Sequence, residues 1–461
     1  MTMLTKDENI IILTDSYKVS HARQYPKGTT GVYSFFESRG GRFPAVTFFG
    51  LQYIIKRYLT GKVVTEEKIA EAKEVFQKHF GQELFNEDGW RYILEKYDGR
   101  LPIIIKAVPE GMTIPVSNVL MTVENTDPNI PWLTNYLETL LSQVWYPTTV
   151  CTQSREMRKV IANALEETGD PNLINFKLHD FGFRGSTSVE SAGIGGAAHL
   201  VNFMGTDTMA ALMIAREYYS ELMAGFSIPA AEHSTITSWG RDNEVAAYEN
   251  MLEAYPTGLV AVVSDSYNIY DACKNLWGKQ LKEQVLGRDG TLVVRPDSGN
   301  PPTVVVEVLN ILGETFGYER NGKGYKVLNP KVRVIQGDGI DYAMLGTVLE
   351  AMEATEWSAD NIAFGSGGGL LQKMDRDTQR FAFKCSAVKI DNEWRDVLKD
   401  PVTDPGKRSK AGRMKLVNVD GNLHTIREEV SFERDLLEPV FKNGELLRDQ
   451  SMADIRARAQ Q

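Results

Sequence analysis

Residues 258–266 read GLVAVVSDS, an unbroken apolar run that ends in Ser264-Asp265-Ser266. Short runs of this kind bounded by turn residues read as strands, here with a carboxylate at the C-terminal end. The same form recurs on both sides of it. NFKLHDFGFRG (175–185), HLVNFMGTD (199–207) and GFSIPAAEH (225–233) precede it, and TLVVRPDSG (291–299), VRVIQGDGI (332–340) and NIAFGSGGG (361–369) follow. The ends fall near Asp180, Asp207, His233, Asp265, Asp297, Asp338 and Gly367. The steps are roughly 30 residues each, the length of one strand-helix-strand unit. Helical patterns lie between several runs, at 208–219, 242–254 and 302–315. Strands capped by functional residue types, with helices between, predict an α/β fold built on an irregular, TIM-like parallel barrel. A doubly wound open sheet is the alternative. In both, the C-terminal strand ends form the site. The run that starts at Leu200 is the least convincing strand.

The rest of the chain has no comparable repeat. Residues 8–14, 31–37 and 102–108 read as strands, and 51–59, 65–79, 132–145 and 152–167 as helices. Thr65-Glu66-Glu67 supplies an N-cap and an acidic first turn. After Gly369 the pattern returns to β-like pieces at 381–390 and 413–417, with a basic loop, KDPVTDPGKRSKAGR, at 399–413. The expected organisation is a mixed α+β domain over 1–150, the barrel over 151–380, and a segment 381–461 that packs with the N-terminal domain.

Composition excludes several classes. The net charge of −10 argues against nonspecific nucleic-acid binding, while leaving room for a local phosphate site. Three scattered cysteines, Cys151, Cys273 and Cys385, form neither a disulfide framework nor a CxxC metal site. No apolar run is long enough to span a membrane, and MTMLTKDENI is not a signal peptide. A cytoplasmic enzyme is the expectation.

The strand ends carry the chemistry. His233 stands where GFSIPAAEH meets the hydroxyl-rich STIT; a satisfied structural histidine is the plainer reading of a lone His. Glu232 points to the opposite face in extended backbone and is not its partner. Carboxylates alone would suit a glycosidase, but they leave Arg184, Arg295 and the glycines unexplained. FGSGGGL offers backbone N–H groups at a strand-to-helix turn, a cradle for phosphate. It lacks the Lys-Ser/Thr of a P-loop. Beside Arg184, Arg295, Lys373, Arg376 and Lys384 it points to a polyphosphate ligand. Asp297 in RPDSGNP and Asp338 in QGDGID suit ribose hydroxyls or Mg²⁺, or else cap the following helices. His179 has no HxH or HExxH spacing, so zinc is not expected.

Together, KLHDFGFRG, GTDT, PAAEHSTIT, VVSDSY, RPDSGNP, IQGDG, AFGSGGGLLQK and KDPVTDPGKRSK resemble the nicotinamide phosphoribosyltransferases. The similarity begins at ILTDSYKVSHARQYP (12–26) and runs nearly to the end. The resemblance implies a type II phosphoribosyltransferase fold and a homodimer with active sites at its interface. The implied reaction joins nicotinamide to phosphoribosyl pyrophosphate, giving nicotinamide mononucleotide and pyrophosphate. It implies that Phe181 stacks one face of the pyridine ring and Tyr17 of the other subunit covers the opposite face. Asp207 accepts from the carboxamide and would repel a nicotinate carboxylate, which separates this reading from a nicotinate or other pyridine-ring phosphoribosyltransferase. Arg295 contacts the ring end and the pyrophosphate, with Arg184 and Arg39 near the latter. Asp297, Gly337 and Asp338 hold the ribose. Gly367 and Gly368 bind the 5′-phosphate, with Arg376 and Lys384 reaching over from the partner. Asp265 and Asp297 are the expected Mg²⁺ neighbours, and ATP is the expected coupling substrate that phosphorylates His233. A noncatalytic protein that kept the barrel is the remaining rival.

Overall fold

Six parallel strands carry the predicted runs. In the computed structural model, which describes residues 8–403, 409–430 and 433–461, they are β1 (Leu178–Asp180), β2 (Gly205–Thr206), β3 (Thr257–Val263), β4 (Asp289–Arg295), β5 (Val332–Gln336) and β6 (Ile362–Ser366). They stand side by side in the order β2-β1-β6-β5-β4-β3, and every neighbouring pair is parallel. The seventh run joins the two edges. Phe226 donates its N–H to Met204 O at 2.7 Å and accepts from Thr206 N–H at 3.0 Å. Further along, Ala231 N–H bonds Ala261 O and Ala261 N–H bonds Pro229 O, both at 2.9 Å. The seven runs therefore follow one another around a closed, irregular barrel, and the open sheet is set aside. The joining stretch makes only isolated bridges. Pro229 within it has no N–H to give a ladder.

The barrel belongs to a compact unit of Gln153–Met213 and Leu222–Lys373. Inside it, Ala261, Val293 and Ile335 pack with Phe181, Ile228 and Ala363. Between the strands run α1 (Val189–His199), α2 (His233–Thr237), α3 (Glu244–Ala254), α4 (Pro301–Phe316) and α5 (Tyr342–Ala354). α4 opens with proline, whose fixed φ suits a first helical turn, and buries Val304, Val305, Val308, Leu309 and Leu312 on one face.

The other unit comprises Met1–Thr152, Ile214–Glu221 and Met374–Gln461. Its sheet is antiparallel and interleaves both ends of the chain: Glu393–Asp396, Phe381–Ile390, Thr29–Ser38, Val119–Asn125, Ile103–Ala107, Glu438–Lys442 and Glu445–Leu446, in that spatial order. The joints fall at 152 and 373, where 150 and 380 were expected, and the grouping of Ile214–Glu221 with this unit leaves no mark in the sequence. Thr65 caps helix Glu66–Phe80 as predicted, accepting from Lys68 N–H at 3.3 Å.

Several local expectations fail. Residues 8–14 form turns, closed by Ile12 N–H to Asn9 O at 2.9 Å; Ile10 and Ile11 are buried without any ladder. Residues 132–145 hold two short helices, Leu133–Tyr136 and Glu138–Ser142, and the next helix starts at Trp145, not Thr152. The run from Leu200 is strand only at Gly205–Thr206. Residues 404–408 of the basic loop, and residues 1–7, lie outside the described residues.

Candidate active site

Three strand ends build the first cluster. Asp265, just past β3, receives His233 Nε2–H on Oδ1 at 3.1 Å. Its Oδ2 accepts from Asp297 N–H at 3.1 Å and Ser298 Oγ–H at 2.5 Å. A carboxylate only accepts, so Nε2 carries a ring hydrogen, and in the neutral ring Nδ1 is the nitrogen with the lone pair. Nδ1 lies 4.0 Å from Asp297 Oδ2. The Asp265 side chain is 4 % exposed against 46 % for His233, so the carboxylate is a buried support and the imidazole is presented. His233 is the first residue of α2, and Glu232 serves as its N-cap. Asp265, expected beside the metal, spends both oxygens on protein donors and fits poorly as a ligand.

Next to this cluster the barrel encloses a cavity of about 430 Å³, within the usual range for small-molecule sites. Phe181, Asp207 and Arg295 line it, together with His179, Ser227 and Ala261. The Phe181 ring lies against backbone: a Cβ on Gly365 would stand 2.0 Å from Phe181 Cε2, and one on Gly337 3.3 Å. Only glycine at 365 leaves room for the ring. Ser227 Oγ–H donates to Asp207 Oδ1, which leaves Oδ2 for a ligand in the cavity. Arg295 reaches Ala231 O and Asp297 Oδ2, each at 3.5 Å. Burial lowers the His179 pKa against the opposing pull of Asp207, and its Nε2 bonds Phe176 O at 3.1 Å. At the cavity's other end Lys177 is held by the carbonyls of Ala359, Asp360 and Ile362 at 2.8, 3.1 and 2.8 Å.

The remaining barrel candidates sit on the adjoining loops. Gly337 and Asp338 follow β5, where Gln336 Nε2 donates to Asp338 O at 2.9 Å. Gly367 caps a single helical turn, Gly368–Leu371, whose first N–H groups have no intrahelical partner. A Cβ on Gly368 would meet nothing within 4 Å, so this backbone is open to a ligand. Lys373 N–H bonds Gly368 O at 2.8 Å. Arg184 lies in the turn Phe183–Gly185.

Arg39, Arg376 and Lys384 meet in the other unit, around a cavity of about 640 Å³. Strand pairing of Phe35 with Lys384, and Arg39 N–H to Arg380 O at 3.2 Å, bring them together. Glu37, buried, accepts from Arg39 Nε at 3.0 Å and from Lys410. Partial burial lowers the Lys384 pKa, helped by Arg39, Arg376 and Lys399 and opposed by Glu138. A cavity with this excess of cations is built for an anion. Tyr17 is 56 % exposed; its ring makes an edge contact to His21 at 4.9 Å between centroids, and the Lys18 ammonium stands 5.4 Å from its centroid.

Ser227, Gly365, Glu37 and Lys399 were not anticipated. Ser227 stands in GFSIPAAEH and Gly365 in FGSGGG, so the motifs held the signal and only the individual roles were missed. Among the described residues no group of three or more His, Cys, Asp or Glu could hold a metal by itself. Mg²⁺ commonly takes one or two carboxylates plus substrate phosphates, so Asp297 alone fits that pattern. No helix among the described residues is long and apolar enough to cross a membrane.

Comparison with known proteins identifies the family. The sequence profile of the nicotinate phosphoribosyltransferase (NAPRTase) family matches residues 176–445, and that of the nicotinamide phosphoribosyltransferase N-terminal domain matches residues 9–105. The chain is 50% identical to a nicotinamide phosphoribosyltransferase of Xanthomonas campestris pv. campestris, over 98% of both chains. It is 31% identical to one of Acinetobacter baylyi, covering 97% of this chain and 96% of the other. In fold it matches a nicotinate-nucleotide pyrophosphorylase from Pyrococcus furiosus, with a TM-score of 0.63, 15% identity and coverage of 99% and 96%. It also matches human nicotinic acid phosphoribosyltransferase, with a TM-score of 0.57, 16% identity and coverage of 97% and 93%. The chain has the type II phosphoribosyltransferase fold and belongs to the nicotinamide phosphoribosyltransferases, enzymes of NAD biosynthesis.

Proposed function

We propose that this enzyme transfers the phosphoribosyl group of phosphoribosyl pyrophosphate to nicotinamide in the cytoplasm, as a homodimer stimulated by ATP. The carrying observation is one apolar cavity in which Phe181, Asp207 and Arg295 converge. The pyridine ring lies on Phe181, with Tyr17 of a second copy over its other face; stacking of this kind is worth ~1–3 kcal/mol per ring. The carboxamide NH₂ donates to Asp207, whose other oxygen Ser227 already holds. Asp297, Gly337 and Asp338 take the ribose hydroxyls, and the turn at Gly367 and Gly368 takes the 5′-phosphate with Arg376 and Lys384 of the second copy. Arg184, Arg295 and Lys373 face the pyrophosphate, joined by Arg39 of the second copy, which lines one cavity with Arg376 and Lys384.

In the transfer, the ring nitrogen lone pair forms the bond to C1′ while the C1′–oxygen bond to pyrophosphate breaks and its electron pair leaves with pyrophosphate. The nitrogen carries no proton, so no general base is needed. Arginines aimed at the leaving group stabilise the charge that develops there, and orientation of the ring supplies several kcal/mol more. Asp297 would hold Mg²⁺, which when bound adds charge neutralisation at the pyrophosphate. His233 acts apart from the ring chemistry. Asp265 fixes its tautomer, and Nδ1 attacks the γ-phosphorus of ATP, releasing ADP and leaving a phosphohistidine.

The test is turnover of nicotinamide and of nicotinate, each with phosphoribosyl pyrophosphate, followed by pyrophosphate release. Preference for nicotinamide is expected. Preference for nicotinate would overturn the assignment of substrate, and no pyrophosphate release from either would overturn the activity.

A further inference from the structure

Asp180 is the last residue of β1, wholly buried, and touches none of the reacting groups. Its carboxyl Oδ1 accepts from Gly182 N–H at 2.7 Å. Its main-chain carbonyl accepts from Asp207 N–H at 2.9 Å. One residue is thus bonded to the loop that carries Phe181 and to the loop that carries Asp207. Oδ2 is buried without a hydrogen-bond partner among the described residues, and Thr208 Oγ1 is in the same condition. Thr206 Oγ1 closes the group by accepting from Thr208 N–H at 3.0 Å. α1 packs down on this cluster through a glycine: a Cβ on Gly196 would lie 2.9 Å from Asp180 Oδ2. Burial, opposed chiefly by the Gly182 N–H and reinforced by the Asp207 charge, pushes the carboxyl up to about 6.

We propose that Asp180 is a positioning residue of the pyridine subsite, setting the spacing between Phe181 under the ring and Asp207 at the carboxamide. This rests on the nicotinamide reading of that cavity. The carboxyl works as an acceptor toward Gly182, and asparagine offers the same acceptor while its NH₂ faces the threonine hydroxyls. Alanine removes the acceptor and frees both loops. Of the groups assigned to phosphoribosyl pyrophosphate only Arg184 shares a loop with an Asp180 partner, in the turn that Gly182 opens, while both Phe181 and Asp207 are held directly, so the effect falls chiefly on the ring.

The experiment measures KM for nicotinamide, KM for phosphoribosyl pyrophosphate and kcat for wild type, Asp180→Ala and Asp180→Asn. Expected for Asp180→Ala is a rise of about tenfold or more in the nicotinamide KM, with the other KM within about twofold. Asp180→Asn is expected to stay within about threefold of wild type on all three. If both KM values rise together, if asparagine is as impaired as alanine, or if alanine is silent, the proposal falls. Should the alanine variant not fold, Asp180→Glu displaces the same acceptor by one methylene and must give the same split. The wild-type control separates this result from the substrate assignment. If wild type uses nicotinate, the nicotinamide reading fails while the Asp180 split is read on the nicotinate KM and decides the proposal there.

Discussion

In the proposed function the choice of substrate turns on Asp207, and its replacement by asparagine tests that directly. A nicotinate carboxylate in the carboxamide's place would bring two anions to about 4 Å. At an effective dielectric near 20 the repulsion is roughly 4 kcal/mol, and in bulk water roughly 1 kcal/mol. Asp207 is exposed in the free chain, which favours the smaller figure, while a stacked ring would displace water and favour the larger. Ser227 donating to Oδ1 draws off part of the charge without removing it. Asp207→Asn should therefore shift the ratio of kcat/KM for nicotinamide over nicotinate by about fivefold to about a thousandfold toward nicotinate. The assay is competition between the two substrates at fixed phosphoribosyl pyrophosphate, with both mononucleotides quantified. A ratio unchanged within about twofold would refute the reasoning and place the discriminator elsewhere.

Three further outcomes follow from the geometry. His233→Ala should abolish ATP hydrolysis and leave slow phosphoribosyl transfer, since the imidazole sits with Asp265 and outside the cavity lining; loss of both in a folded protein would contradict that division. Gly365→Ala should displace the Phe181 ring at a cost of ~1–3 kcal/mol and raise the nicotinamide KM, read by urea unfolding and kinetics together. Asp180 titrates at about 6 in the folded chain against an ordinary 3.8, so the folded state holds the proton more tightly. Its contribution to stability is full below 3.8 and is lost as pH rises through about 6, a swing of ~3 kcal/mol. Asp180→Asn has no such proton, so the stability difference should move in the variant's favour across that window; a flat difference would refute it.

The barrel was legible because its signal is chemical as well as periodic. Each buried run ends on a residue type that a strand interior would not tolerate, such as Asp265, Asp297 or Asp338. Residues 8–14 misled because Ile10 and Ile11 are buried through turns, and burial alone does not distinguish a turn from a strand. The run at Leu200 failed for a related reason, since His199 ends α1, residues 200–202 form the turn that follows, and only Gly205–Thr206 pairs. At the site, residue types marked candidate positions, while the role proposed for each depends on its partners. Asp265 looked like a metal ligand until three protein donors were found on it. Ser227 acts through Asp207, and Asp180 ties its near neighbour Gly182 to the distant Asp207; no local pattern announces a pairing across that separation.

The seam between Phe226 and Ala231 has a mechanical consequence. It is the one stave of the barrel fastened by scattered bridges instead of a ladder, and Ser227 reaches across it to Asp207. A ligand seated on Asp207 and against Ser227 rivets that stave from within. By mass action such a ligand, at free concentration L, adds RT ln(1 + L/Kd) to the barrel's resistance to opening, so ligand and fold guard the same joint.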